Sequence, residues 1–524
     1  MTVILVFITG VLLSLLLEHL LLRPLSCRNW QRPLGSWCLH IGSWGTLFAL
    51  DLLLVQRPWF ALTLVTSFQL LILLVNQAKY ASLREPFIVQ DFEYFSDVFR
   101  HPRLYLPFLG LWRAVAAVLG FIGALVAGMS MEPSLLIELG GVAFFSQWLV
   151  LAIGSVALLV AGLKTLPVPV LKPETDLRQL GVAGSLWAYG RALWRSTPVA
   201  PRTEFQTPAP VSPSVLPHQL VVQSESFFDP RLSYPQVRRD VLEGFDSTCQ
   251  QSRQYGRVQV PAWGANTVRS ESAFLTGLNA EALGIHQFNP YWYLAKHDLP
   301  TLVSCMKARG YKTVCVHPYP QQFYLRDRVF PRLGFDRFID GAAFNDSQKD
   351  GQYISDAAVA DCIEQLLAEA SDTPLFIFVI TMENHGPLHL ESAAEIDATD
   401  YLSSPLPADC EDLLVYLRHL KNADRMLVRL TELLSAQSRP GQLCWYGDHV
   451  PVMAEVYRTM GEPVADTPYL IWHSAGGEGL ESHNPLSEVA VSAVVNQSVR
   501  QRCTTNSERS APGVLERCSE HSAR

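Results

Sequence analysis

Five apolar runs in the first 165 residues constrain this chain more than anything else in it. They fall at about 2–22, 39–55, 58–76, 107–128 and 144–163, each near the roughly 20 residues that a helix needs to cross a bilayer core. The sequence therefore predicts an α-helical membrane domain of five transmembrane helices. Glu18 and His19 follow the first run and no small-residue cleavage site appears, so that run reads as an anchor and not as a signal peptide.

From Leu177 to Arg195, LRQLGVAGSLWAYGRALWR sets Trp, Tyr and Arg among small apolar residues at helical spacing, as an interfacial helix would. PVAPRTEFQTPAPVSPSVLP follows, a stiff Pro-rich tether. The chain thus divides into a transmembrane domain at 1–165, an interfacial helix and linker at 166–217, a soluble domain at 218–500, and a tail at 501–524 expected to be disordered.

Charge gives one answer about sidedness. Five spans put the loops after the first and third helices on the same face as the soluble domain. Those segments carry Arg23, Arg28, Arg32, Lys79, Arg84, Arg100, Arg103 and Lys164, against little beyond Arg57 opposite. The positive-inside rule alone places the soluble domain in the cytoplasm. A net charge of −8 without a long basic block argues against a nucleic-acid partner. The ten Cys lack CxxC or other metal-type spacing; Cys315 and Cys444 sit in apolar strands and read as core.

In the soluble domain, short apolar runs alternate with helical segments. LVVQS (220–224), KTVCVH (312–317), PLFIFVIT (374–381), QLCWY (442–446) and PYLIW (468–472) read as strands, and 353–370 and 411–434 as helices. This alternation predicts an α/β domain with a mainly parallel central sheet, whose ligand crevice lies at the carboxyl ends of the strands. Four strands deliver acids or imidazoles there: Glu225; His317; Glu383, Asn384 and His385; Asp448 and His449. Such donors suit a divalent cation such as manganese, magnesium or zinc, and no thiolate is offered.

GANTVRSESAFLTGL (264–278) predicts a helix over 268–276 that stops at Gly277, with Asn266 or Thr267 at its start. A hydroxyl there is a helix cap on the plain reading. It is also the best-placed nucleophile, because unpaired N–H groups, the helix dipole and a nearby cation all favour its alkoxide. Thr267 is the strongest candidate; Ser270 and Ser272 fall inside the helix.

These residues resemble those of the bacterial lipoteichoic acid synthase and phosphoglycerol transferase family, whose soluble part is a sulfatase-like domain of the alkaline phosphatase superfamily. VVQSES, GANTVRSESAFLTGL, HPYPQQFYLRDRVFPRLGFDRFID, MENHGP, YGDHVPV and DTPYLIW carry the resemblance. It implies a sulfatase-like catalytic domain at 218–500 holding one Mn2+ or Mg2+ ion through Glu225, Thr267, Asp448 and His449, with Thr267 as nucleophile. It further implies substrate contacts from His317, Tyr324, Arg326 and His385. The implied reaction moves glycerol phosphate from a phosphatidylglycerol-like phospholipid donor to a glycan or polymer acceptor, with the catalytic domain on the extracytoplasmic side of the bacterial inner membrane, against the charge rule.

Tyr319 stands where the family often has an acid, Tyr324 where it has Trp, and Leu325 where it has Asn, so the resemblance is firmer for phosphoester chemistry than for the glycerol end. Sulfatase-type hydrolysis is the first alternative, but TVRS lacks the Cys and Pro of a C/S-x-P-x-R nucleophile. Phosphoethanolamine transfer, usually accompanied by paired Cys, is the second. A catalytically dead scaffold is the third, and it would be expected to have lost a ligand or the nucleophile.

Overall fold

The computed structural model describes residues 2–24, 31–94, 111–202, 205, 216–370, 372–476, 480–481, 486–487 and 490–491. The tail at 501–524 and most of the linker from 203 to 215 lie outside the described residues. Two compact units emerge, one of Met1–Val199 with Gly284–Phe288, the other of Ala200–Leu283 with Asn289–Arg524.

The first unit contains the helices Thr2–Leu21, Leu34–Val55, Pro58–Leu83, Leu111–Met131 and Gly141–Thr165. Among the described residues, five segments are long and apolar enough to cross a membrane, the fourth counted from Leu119 through the short helix Leu135–Leu139. Close backbone approach joins the second helix to the fifth. A Cβ added at Gly42 would stand 2.7 Å from the Leu159 nitrogen, and one at Gly162 2.9 Å from the Gly35 carbonyl oxygen. Helices pack through such small residues when no hydrophobic force drives them together in lipid. The helix predicted at 177–195 is Pro173–Trp194, broken at Gly181 (φ 68°). The break frees the Val182 N–H to donate to buried Glu18 at 3.0 Å, which also pairs with Arg32 at 3.0 Å and His40 at 3.3 Å.

The second unit is built on a nine-stranded sheet. Its strands are β1 (His218–Ser224), β2 (Gln254–Gln259), β3 (Lys312–Val316), β4 (Arg337–Ile339), β7 (Leu375–Ile380), β8 (Gly441–Gly447), β9 (Thr467–His473), β10 (Leu480–Glu481) and β11 (Leu486–Ser487). A separate hairpin pairs β5 (Lys349–Asp350) with β6 (Tyr353–Ile354). The order is β10-β2-β9-β8-β1-β7-β3-β4, with β11 also on β2. From β8 to β4 every pairing is parallel, whereas β9 runs antiparallel to both β8 and β2.

Strands β1, β7 and β8 are buried along their whole length, as apolar runs covered on both faces must be. Leu220, Val222, Ile377, Val379, Leu443 and Trp445 face one helical layer, formed by Asp356–Glu369 and Glu411–Ser435. The latter buries Leu413, Leu417, Leu420, Leu427, Leu430 and Leu434, the 3.6-residue stripe seen in the sequence. On the opposite face the helix Thr267–Thr276 lays Phe274 against Tyr446, ring centroids 4.9 Å apart. The result is a three-layer α/β domain with a mainly parallel sheet.

Candidate metal and phosphoryl site

The carboxyl ends of β1 and β8 lie side by side, with Ser224 in register with Gly447. Glu225 follows the first and Asp448–His449 the second. Gly447 is required there, because a Cβ would fall 1.9 Å from the Phe227 carbonyl oxygen. Ligand atoms of Glu225, Asp448 and His449 all lie within 4.8 Å of one another, and all three side chains are buried. His449 Nε2 is 3.5 Å from Glu225 Oε1, 3.3 Å from Asp448 Oδ2 and 3.4 Å from Thr267 Oγ1.

Thr267 is the first helical residue of Thr267–Thr276, not its cap. The cap position belongs to Asn266, in the left-handed region (φ 68°) with no side-chain capping bond. The cap role expected of Thr267 therefore does not hold. Its hydroxyl nonetheless sits in the first turn, where backbone N–H groups have no helical partner.

A divalent cation fits this donor set. Asp448 Oδ2 is buried without a hydrogen-bond partner among the described residues. Burial, with the Asp448 charge beside it, pushes Glu225 up to about 8. Two buried carboxylates converging this closely cost free energy that a cation offsets. Two carboxylates, an imidazole and a hydroxyl suit Mn2+, Mg2+ or Zn2+.

Ser226, which sequence reasoning missed, organises these groups. In the left-handed region (φ 52°), its N–H donates to Asp448 Oδ1 at 2.9 Å and its hydroxyl to Glu225 Oε1 at 2.9 Å. Ser270 Oγ donates to the Asp448 carbonyl at 2.9 Å, and Thr381 Oγ1 accepts the Glu225 N–H at 2.9 Å. The only trace of Ser226 in the sequence is a second hydroxyl in VVQSES.

His317 is buried at the end of β3. Its Nδ1 lies 3.1 Å from the Ile380 carbonyl, which can only accept, so the proton is on Nδ1. Burial first, and the Arg326 charge second, hold this ring well below the ordinary imidazole range. His317 Nε2, buried with no partner among the described residues, is therefore a hydrogen-bond acceptor. His385 resembles it: Nδ1 faces the Gly386 carbonyl at 2.7 Å, and burial lowers its pKa. Both rings are neutral, which leaves Nε2 of each free to accept a proton rather than to donate one.

Arg326 opens the helix Arg326–Leu333 after two consecutive left-handed residues, Tyr324 (φ 58°) and Leu325 (φ 60°). Its guanidinium carbon stands 5.4 Å from the Tyr324 ring centre. Glu383 does not join the strand-edge acids. It turns away to a second group with Asp350 and His419, where His419 Nδ1 lies 2.9 Å from Glu383 Oε1 and His419 Nε2 3.0 Å from Glu391 Oε2. Arg418 also reaches Glu391, at 2.6 Å, so these acids already have cationic partners. Cys315 and Cys444 are free and buried, as core residues should be.

The chain can be compared with known proteins. The Sulfatase family model matches residues 217–495. The capsular polysaccharide biosynthesis protein RkpI of Rhizobium meliloti (strain 1021) is 28% identical over 432 residues, 78% of this chain and 77% of that one. A putative cyclic beta-1,2-glucan modification protein of the same organism is 30% identical over 247 residues, 47% of this chain and 37% of that one. Among solved structures, the phosphoglycerol transferase GacH of Streptococcus pyogenes, in complex with sn-glycerol-1-phosphate, aligns with a TM-score of 0.44 at 21% identity, covering 59% of this chain and 83% of that one. With more than half of its length matched by the family model, the chain belongs to the Sulfatase family.

Proposed function

We propose that the chain is a membrane-bound, divalent-cation-dependent transferase that moves glycerol phosphate from a phosphatidylglycerol-like lipid to a glycan acceptor through a phosphothreonine-type intermediate at Thr267. The observation that carries this reading is the convergence of Thr267 Oγ1 on the Glu225–Asp448–His449 group, 3.4 Å from His449 Nε2. When bound, the cation lowers the pKa of the Thr267 hydroxyl and offsets charge on the phosphoryl oxygens.

The chain's own groups divide the rest of the work. Thr267 Oγ1 gives up its proton to solvent and attacks phosphorus, the bond to the diacylglycerol oxygen breaks, and that oxygen takes a proton from solvent, leaving glycerol phosphate on Thr267. First-turn N–H groups and the Arg326 guanidinium bind phosphoryl oxygens, where added negative charge develops. Neutral His317 accepts a hydrogen bond from a headgroup hydroxyl at Nε2. In the second step neutral His385 takes the proton of the acceptor hydroxyl as that oxygen displaces Thr267. A glycan acceptor is supported by the two Rhizobium relatives, one named for capsular polysaccharide biosynthesis and the other for cyclic beta-1,2-glucan modification. Five apolar spans support integral membrane placement, and an outer-leaflet donor calls for the catalytic domain on the extracytoplasmic side.

Detergent-purified protein with Mn2+ and headgroup-labelled phosphatidylglycerol tests the reading. Diacylglycerol release is expected from wild type and not from Thr267→Ala. Release only from phosphatidylethanolamine would replace the headgroup, and equal release by the Thr267→Ala variant would remove Thr267 from its role.

A further inference from the structure

Glu271 lies four residues after Thr267 on the same short helix, hence one turn along the same face. It is wholly buried, and its carboxylate faces Arg326, which is 2% exposed. Arg326 Nε donates to Glu271 Oε2 at 3.1 Å and Arg326 Nη2 donates to Glu271 Oε1, a two-pronged pair. The buried Tyr291 hydroxyl donates to Glu271 Oε2 at 2.6 Å. Burial and the Glu271 charge raise the Tyr291 pKa well above its ordinary value, which keeps that hydroxyl a donor. One end of the guanidinium stays uncommitted: Nη1 is buried and has no partner among the described residues. A buried N–H pair left unmatched costs free energy unless a ligand completes it. The approach to Arg326 is also strained, since two successive non-glycine residues are left-handed.

We infer that Glu271, itself held by Tyr291, is a positioning residue that fixes Arg326 with Nη1 presented to the phosphoryl group on Thr267. The inference rests on the phosphoryl-transfer reading above. Glu271 consumes the Nε and Nη2 side of the fork, so the guanidinium can neither swivel nor spend its other edge on the ligand. Because Thr267 and Glu271 share one helix, nucleophile and anion clamp are held at a set separation.

A double-mutant cycle in the full-length, detergent-purified chain tests this. Tyr291→Phe removes one oxygen and is the mildest perturbation; Glu271→Gln keeps the shape and removes the charge; Arg326→Lys removes the fork. Diacylglycerol release from phosphatidylglycerol is expected to fall about five- to ten-fold in Tyr291→Phe and further in Glu271→Gln, chiefly in kcat, with Mn2+ affinity unchanged. Neither substitution should reduce activity further once Arg326 is Lys. Multiplicative losses in the double variants, or a Tyr291→Phe protein equal to wild type, would overturn the assignment. Should wild type release no diacylglycerol, the transfer reading fails, and calorimetric titration with inorganic phosphate decides the positioning separately. Affinity reduced in Tyr291→Phe and Glu271→Gln, but not further with Arg326→Lys, supports it; no phosphate binding by wild type, or equal affinities, refutes it.

Discussion

His419 holds together three parts of the catalytic domain, and it does so only while protonated. Its Nδ1 faces Glu383 and its Nε2 faces Glu391, at 2.9 and 3.0 Å, so both nitrogens must carry hydrogen for both contacts to form. The ring is buried, which opposes the charge. The two carboxylates outweigh that effect and raise its pKa to about 9. Against an ordinary value of 6.5, this corresponds to on the order of 3 kcal/mol. The sign follows from a raised folded-state pKa: the contribution is complete below pH 6.5 and disappears as pH rises through 9. Glu383 immediately precedes Asn384 and His385, so loss of the clamp loosens a loop of the site. The assay is histidine carbon–proton NMR of selectively labelled protein, with the His419 resonance assigned by its loss in His419→Gln, alongside urea unfolding at pH 6.5 and 9.5. A titration midpoint near 9 and a stability decline that flattens in His419→Gln are expected. Arg418 Nη2 also lies 2.9 Å from His419 Nε2, and an arrangement in which Arg418 donates to a neutral ring predicts a midpoint below 7. That midpoint, or an unchanged pH slope in the variant, would refute the argument.

Mn2+ at a hundredfold excess over its Kd should stabilise the catalytic domain by about 2.7 kcal/mol, read as a rise in Tm, and Asp448→Asn should abolish the rise. Gly447→Ala forces a Cβ against the Phe227 carbonyl at 1.9 Å; about 1–3 kcal/mol of stability and most of the Mn2+-dependent rise in Tm should be lost together. Leu427→Ala, at a fully buried position of the Glu411–Ser435 stripe, should cost about 2–5 kcal/mol in urea unfolding while leaving Mn2+ affinity unchanged.

What could be read in advance follows from where the physics is local. The runs that became β1, β3, β7, β8 and β9 are apolar because both faces of those strands are covered, and that composition is visible in any window of the sequence. Strand β2 was not visible: QYGRVQ is mostly polar, since most of the strand is only half-buried. Strand direction was not visible either, because an apolar run has no polarity, and β9 proved antiparallel. Placing Glu383 with the strand-edge acids overlooked that successive residues beyond β7 leave on different faces, and Glu383 left toward the helical layer. The Glu271–Arg326–Tyr291 group joins residues 20 and 55 positions apart, a tertiary coincidence with no local signature. Thr267 was legible because a helix start constrains chemistry within a few residues.

The reversed direction of β9 shapes how this domain can diversify. Thr467, at its start, sits beside the end of β8, with Thr467 Oγ1 donating to the Gly447 carbonyl at 2.6 Å. The segment from Asp448 to Asp466, including the helix Ala454–Met460, thus departs from the reactive edge and returns to it. Two strand residues flank it, Gly447 of β8 and Thr467 of β9, tied by that side-chain bond whatever the segment's length. A longer or shorter excursion would remodel the rim beside Glu225, Asp448 and His449 without disturbing a strand, which makes this segment the natural place for descendants of one scaffold to part ways over what they bind.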